Sequence, residues 1–178
     1  MSINFQIRPA THQDASAIAA IYRSAFPAEE VDSTNALAQA LLENPECYSW
    51  VAEDPTTAEL LGHISFSPVT IDQHPSFSGF ILAPLAVQGD KQKSGIGSAL
   101  SQHAIAHFKT QGACDTVFVY GDPAYYGRFG FAVESAELLL PKHPLSFPFG
   151  WQALHLSQTI DLQGEINTHT ALDKPEIW

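Results

Sequence analysis

Basic residues are scarce in this chain: 8 Lys and Arg stand against 19 Asp and Glu, for a net charge of −11. A broad electrostatic grip on nucleic acid needs clustered Lys and Arg, so no nucleic-acid partner is expected. The same charge mildly favours a cationic ligand by long-range attraction, and it also serves solubility. Cysteine is rarer still, with Cys47 and Cys114 far apart and outside metal-ligand spacing. Both are expected to be reduced, small core residues of a cytoplasmic protein. No segment approaches the roughly 20 apolar residues that cross a bilayer, so no membrane span is expected. The N-terminal Met-Ser-Ile-Asn-Phe-Gln-Ile-Arg has no long apolar run after a basic start, and no signal peptide is expected. Repeats and low-complexity tracts are absent too, so the 178 residues read as one domain. A Gly-Lys-Ser/Thr ending is missing, which excludes the nucleotide P-loop. No Ser-His-Asp order or paired carboxylates support hydrolysis.

What is present centres on residues 82–100. Leu82 to Val87 is a compact apolar run of strand length, and Ile96, Leu100, Ala104 and Phe108 recur once per helical turn. Between them Gln92-Lys93-Ser94-Gly95-Ile96-Gly97 places two glycines at the entry to the helix. A helix N-terminus exposes unpaired N–H groups and the positive end of the macrodipole. Glycines there remove the Cβ atoms that would hold a phosphate away, and Lys93 adds a charge beside it. Leu100 stands where a dinucleotide fingerprint has its third glycine. The other reading is that Gly95 and Gly97 only let the chain turn tightly.

A second block, Tyr120-Gly-Asp-Pro-Ala-Tyr-Tyr-Gly-Arg-Phe-Gly-Phe131, follows the strand-like run Thr116 to Tyr120. Together the two blocks resemble the GNAT superfamily of acyl-CoA-dependent N-acetyltransferases. Gln92, Gly95 and Gly97 match its Gln/Arg-x-x-Gly-x-Gly/Ala pyrophosphate loop, and Tyr126, Gly130 and Phe131 match its Tyr-x-x-x-Gly-Phe ending. The string from Gly121 to Phe131 looks like the YhbS-like branch. The matching motifs cover roughly residues 7–131.

The resemblance implies an α/β fold: a single-domain, mixed, mostly antiparallel sheet flanked by helices. The domain spans 1–178, with a core at about 5–157 and a C-terminal strand or tail at 158–178. It implies acetyl-CoA as cosubstrate, without a metal, and acetyl transfer to a primary amine by direct attack in a ternary complex. The acceptor is a small-molecule amine or a protein amino group. The implied cofactor-binding residues are Leu85, Ala86 and Val87 on the strand and Gln92, Lys93, Ser94, Gly95, Ile96, Gly97 and Ser98 in the loop. One strand N–H would act as an oxyanion donor, and Tyr126 as general acid, since a phenol with pKa near 10 can protonate a departing thiolate. The alternative is packing of Tyr125 and Tyr126 on a short helix. A rival from another class is a non-catalytic acyl-CoA-binding or regulatory domain.

This chain departs from the wider family at Gly121-Asp122-Pro123-Ala124, where Asn-x-x-Ala is common; Asp122 is expected to cap the helix, with Pro123 at its first position. Arg128 has three readings: a cofactor phosphate, solvent, or Glu134. Phe80 to Val87 holds no ionisable residue, where many relatives carry a Glu. No general base is therefore assigned; His63, His74, Glu29 and Glu30 are substitutes, and a water chain also suffices. His103 and His107 have metal-ligand spacing, but no third ligand accompanies them, so a solvated helix face is expected.

In chain order, Phe5, Ile7 and Arg8-Pro9 suggest a first strand. Thr11 and Asp14 have capping-box spacing before a helix bearing Ala15, Ile18, Ala19, Tyr22 and Phe26. Pro27 ends that helix, Ala28 to Asp32 reads as an acidic connector, and a second helix carries Leu37, Ala38, Leu41 and Leu42. Tyr48 to Ala52 and Leu60 to Phe66 read as a hairpin about an Asp54-Pro55 turn. Pro68 to Gly79 reads as loop, Leu138 to Leu140 as a strand, Pro141 to Pro148 as loop, Trp151 to Leu156 as a strand rejoining the sheet, and Glu165 to Thr170 as a last strand. The late strands offer a homodimer interface, with Trp151 and Trp178 as its apolar area.

Overall fold

The computed structural model describes residues 3–157 and 162–178. Its main sheet has six strands: β1 (Gln6–Pro9), β2 (Tyr48–Glu53), β3 (Leu60–Val69), β4 (Gly79–Val87), β5 (Thr116–Tyr120) and β7 (Trp151–His155), in the order β1-β2-β3-β4-β5-β7. β6 (Leu139–Pro141) and β8 (Gly164–Ile166) form a separate two-stranded parallel sheet. The helices are α1 (Ala15–Ala25), α2 (Ala28–Leu42), α3 (Ile96–Gln111) and the single turn α4 (Pro123–Tyr126). The sheet is mixed and mostly antiparallel: β1–β2, β2–β3 and β5–β7 are antiparallel, and β4–β5 is parallel. The residues divide into two compact units, Met1–Phe66 with Ala83–Ile105, and Ser67–Leu82 with Ala106–Trp178.

In the first unit the apolar stripe of α1 is Ile18, Ile21 and Tyr22, three side chains fully shielded from solvent at helical spacing. They pack with Ala38 of α2, Val51, Leu60 and Ala86. The capping-box pair opens a 3-10 turn (His12–Asp14) that runs into α1. The Thr11 N–H donates to Asp14 Oδ2 at 2.7 Å, and Arg8 reaches both oxygens of the same carboxylate. Arg8 and the Thr11 N–H together hold that carboxyl well below the usual range. The hairpin forms as expected, with Asp54 Oδ1 accepting from the N–H groups of Thr56 and Thr57. Ala28 to Asp32 is not a connector but the first turn of α2. Pro27 occupies its N-cap, and Glu29 and Glu30 complement the positive end of the helix dipole.

At residue 62 a strand and a helix meet closely. A β-carbon at Gly62 would stand 2.9 Å from Ile96 Cγ2, 3.1 Å from Leu100 Cδ1 and 3.2 Å from the Ala86 carbonyl oxygen. Only glycine lets β3 lie against the first two turns of α3, whose Ile96, Leu100 and Ala104 are buried. His103 is exposed, with its ring edge-on to Trp50.

In the second unit the core is aromatic. Phe118 of β5 stacks on Trp151 of β7 at 5.2 Å, Trp151 meets Trp178 edge-on, and Phe80 stacks on Phe108. Such pairs contribute about 1 kcal/mol each beyond the area they bury. Trp151 and Trp178 are only 2% and 4% exposed, which corrects their expected role as interface area. Cys114 is buried as expected, whereas Cys47 is only half-buried. β3 extends to Val69, past the proline at 68, so part of the expected 68–79 loop is strand. The expected strand over Leu138 to Leu140 is displaced by one residue and pairs with β8 rather than joining the main sheet. β8 itself is shorter than expected; Asn167 instead makes an isolated bridge to Thr70. Of the expected tail at 158–178, residues 158–161 lie outside the described residues.

Candidate functional site

Every residue of the expected cofactor loop lies in the first unit. β4 pairs with β5 from Gly79↔Thr116 to Leu82↔Val119, and β4 continues through Ala83, Pro84, Leu85, Ala86 and Val87. Pro84 has no N–H to give a ladder. Ala86 is buried, while Leu85 and Val87 are half-buried. After β4 a 3-10 turn (Gly89–Lys91) leads to exposed Gln92, Lys93, Ser94 and Gly95. The Gln92 side-chain amide donates to the Val87 carbonyl, and Ser94 Oγ to the Lys91 carbonyl, so the loop folds back on the end of its strand.

Gly95 has φ +92, a left-handed backbone that other residues adopt only with strain, and apart from its chain neighbours no heavy atom lies within 4 Å of where its β-carbon would be. Lys93 shares the left-handed region at φ +61, which the sequence did not signal. α3 begins at Ile96, so the N–H groups of Ile96, Gly97 and Ser98 belong to its first turn, where an α-helix has no internal partner for them. The Gly95 carbonyl is already used, accepting from Ala99 at 2.9 Å. The loop therefore presents an exposed, glycine-edged helix start with open space beside Gly95. Its donors suit an anion.

Tyr126 lies in the second unit, at the end of α4. Asp122 caps this turn as expected, its Oδ1 accepting from the Ala124 N–H at 2.9 Å, with Pro123 in the first turn. The Tyr126 ring meets Tyr125 and Phe131 edge-on. Gly130 has φ +94, ending a 3-10 turn (Gly127–Phe129) in the left-handed conformation before Phe131 enters the core. This is the physical content of the Gly-Phe pair. A β-carbon at Gly121 would stand 2.6 Å from Tyr126 Cε2, so the phenol ring lies directly on the glycine backbone. Burial, and then the neighbouring Tyr125 and Asp122, push the Tyr126 pKa above that of an ordinary tyrosine. The phenol is thus kept protonated. Arg128 is exposed, as its solvent reading expects, with its guanidinium stacked over the Tyr125 ring at 4.6 Å and its Nε donating to the Tyr125 carbonyl.

Of the substitutes considered for a base, His63 is wholly buried. Its Nδ1 is hydrogen-bonded to Tyr22 Oη at 3.0 Å and its Nε2 to Ser65 Oγ at 3.2 Å. Burial pushes its pKa down to about 3, so it is a neutral core histidine. Glu29 and Glu30 are exposed on α2, and His74 is half-buried in the loop after β3. Sequence reasoning missed an open pocket of about 410 Å³ lined by Tyr120, Gly121, Asp122 and Phe147. Among the described residues no cluster of three His, Cys, Asp or Glu could hold a metal, and no helix is long and apolar enough to cross a membrane.

The model of the Acetyltransferase (GNAT) family matches residues 15–131. The uncharacterized N-acetyltransferase YjhQ of Escherichia coli is 36% identical over 104 residues, covering 58% of this chain and 56% of YjhQ, so the match spans little more than half of that relative. The uncharacterized N-acetyltransferase YhbS of the same organism is 30% identical over 131 residues, covering 74% of this chain and 75% of YhbS. The crystal structure of Escherichia coli YhbS in complex with CoA superposes with a TM-score of 0.85 at 25% identity, over 98% of this chain and 94% of the other. A GNAT family acetyltransferase from Brucella melitensis, in complex with acetyl-CoA, gives 0.71 at 28% identity, over 96% and 99% of the two chains. The mixed, mostly antiparallel sheet flanked by helices agrees with these likenesses: the chain belongs to the GNAT acetyltransferase family.

Proposed function

We propose that this chain transfers an acetyl group from acetyl-CoA to a primary amine, by direct attack in a ternary complex. The observation that carries the reading is Gly95, left-handed at φ +92 with open space beside it, immediately ahead of the first turn of α3. The solved relatives bound to CoA and acetyl-CoA support the same cosubstrate.

In this reading Gln92 to Ser98 hold the pyrophosphate through backbone N–H groups, with Lys93 adding charge. The backbone of Leu85 to Val87 lies alongside the pantetheine arm, and one N–H there donates to the thioester carbonyl oxygen as negative charge develops on it. The neutral amine nitrogen attacks the carbonyl carbon, and the carbon–sulfur bond breaks. Tyr126 gives its phenolic proton to the departing sulfur and regains one from water. The amine proton leaves to solvent water. Its acceptor is not a carboxylate of β4, because Phe80 to Val87 has no ionisable side chain. Both cysteines are free thiols, which supports a cytoplasmic location.

The missing strand carboxylate also favours a second reading, an acyl-CoA-binding domain without turnover. Thiol release from acetyl-CoA in the presence of an amine panel, with mass spectrometry of the products, separates the two. An amide product supports transfer. Tight acetyl-CoA binding without any amide supports the binding domain.

A further inference from the structure

The pocket at the end of β5 has a chemistry that no residue of the cofactor loop supplies. Its lining sets one carboxylate, Asp122, beside two aromatic side chains, Tyr120 and Phe147. The walls are fixed by specific bonds. The Phe147 N–H donates to Tyr120 Oη at 2.7 Å, pinning the loop before β7 onto β5. The Gly121 N–H donates to the Gly150 carbonyl at 2.9 Å, and Gln152 Nε2 donates to the Gly121 carbonyl at 3.1 Å. Gly150 admits the aromatic rings: a β-carbon there would stand 2.8 Å from Phe147 Cδ1 and 3.1 Å from Tyr120 Cε2. Phe147 is 52% exposed and its edge-on neighbour Phe149 is 69% exposed. Large apolar side chains so open to water, next to a carboxylate, suit an occupant that is apolar along its length and cationic at one end. Gly121, which lines the pocket, also carries the Tyr126 ring on its backbone.

We propose that this pocket receives the acceptor, and that the acceptor is an apolar or aromatic monoamine that enters as an ammonium ion facing Asp122, its body on Phe147 and Tyr120, and gives one proton to water to become the neutral nucleophile before attack. The inference rests on the acetyl-transfer reading and narrows its substrate class. The chain's net charge of −11 draws such cations in. Asp122 serves two ends, since its Oδ1 already caps α4.

The test uses phenethylamine as probe, with ethanolamine as a polar amine of equal charge and 2-phenylethanol as an uncharged isostere. Acetylation of the two amines is followed at saturating acetyl-CoA, and direct binding of phenethylamine and 2-phenylethanol is followed by ligand-observed NMR. The KM for phenethylamine is expected to be at least 10-fold below that for ethanolamine, and 2-phenylethanol is expected to bind at least 10-fold more weakly. Asp122→Asn keeps a good capping side chain and removes the charge; it should raise the phenethylamine KM 10-fold or more while acetyl-CoA affinity stays within twofold. Phe147→Ala, at an exposed position, should bring the two amines within threefold of each other. Equal KM values for both amines, or no effect of either substitution while an amide still forms, would overturn the pocket assignment and leave acetyl transfer standing. If neither amine is acetylated, the binding data still decide the pocket. Phenethylamine binding lost in Asp122→Asn supports it, and no phenethylamine binding overturns it.

Discussion

The ring of Tyr126 rests on the backbone of Gly121, at a spot where a β-carbon would come within 2.6 Å of Cε2. The aromatic contacts to Tyr125 and Phe131 hold the ring from other directions. Replacing Gly121 by alanine therefore displaces a ring with little room to yield. Gly121→Ala should cut kcat at least 10-fold while leaving acetyl-CoA affinity within twofold, because the cofactor loop is built elsewhere in the chain. Parallel steady-state kinetics and calorimetry check this. Unchanged kcat would mean that the placement of Tyr126 is irrelevant to turnover.

Tyr126→Phe removes only the hydroxyl. General acid groups typically contribute 10²- to 10⁴-fold, so kcat should fall by roughly 100-fold. The protein should keep its melting temperature and its affinity for acetyl-CoA. A variant that turns over normally would exclude the phenol as the acid.

The buried His63 makes acid stability predictable in sign. Its folded pKa is near 3 against an ordinary value of 6.5, because burial opposes the charged ring. Below pH 6.5 the unfolded chain binds a proton that the folded chain refuses. The stability tied to His63 is thus fully present above pH 6.5 and is lost as pH falls towards 3. Between pH 7 and 5, above the range of the depressed Asp14 carboxyl, urea denaturation should show a loss of about 2 kcal/mol. His63→Gln should flatten that slope, whatever its cost at pH 7. A slope unchanged in the variant would assign the effect to another group.

Gly62→Ala tests the packing under the cofactor loop. The added methyl meets the branched Cγ2 of Ile96 and the backbone of Ala86, neither of which yields easily. Overpacking of this kind costs about 1–3 kcal/mol. Urea denaturation should report that loss, and acetyl-CoA affinity should fall with it as the first turn of α3 is pushed from β3. An unaffected variant would show that the strand–helix contact has slack.

Much of the fold was legible in the sequence because periodicity and turn chemistry are local. Ile18 and Tyr22 on α1, the Asp54 turn and the Asp122 cap all carry their physical cause within a few residues. The failures have distant causes. Ala28 to Asp32 reads as connector by composition, yet its glutamates suit the positive end of α2. Pro68 reads as a breaker, although β3 runs past it. β6 and β8 are three residues each, too short for a pattern, and form by pairing across some 25 positions. Trp151 and Trp178 read as surface because the sequence does not reveal that they pack on each other. Of the candidate site, the loop and Tyr126 were legible from motif spacing. The 410 Å³ pocket was not, since Tyr120 and Phe147 are 27 residues apart and joined by one hydrogen bond.

The most direct measurement is calorimetric titration of the purified protein and of Gly95→Trp with acetyl-CoA, with ATP as control and thermal melts to verify folding. Wild type should bind in the micromolar range, ignore ATP, and lose at least 10-fold in affinity when the open space beside Gly95 is filled. Absence of binding to wild type, or undiminished binding to a folded Gly95→Trp, would contradict the assignment of this loop to the cosubstrate.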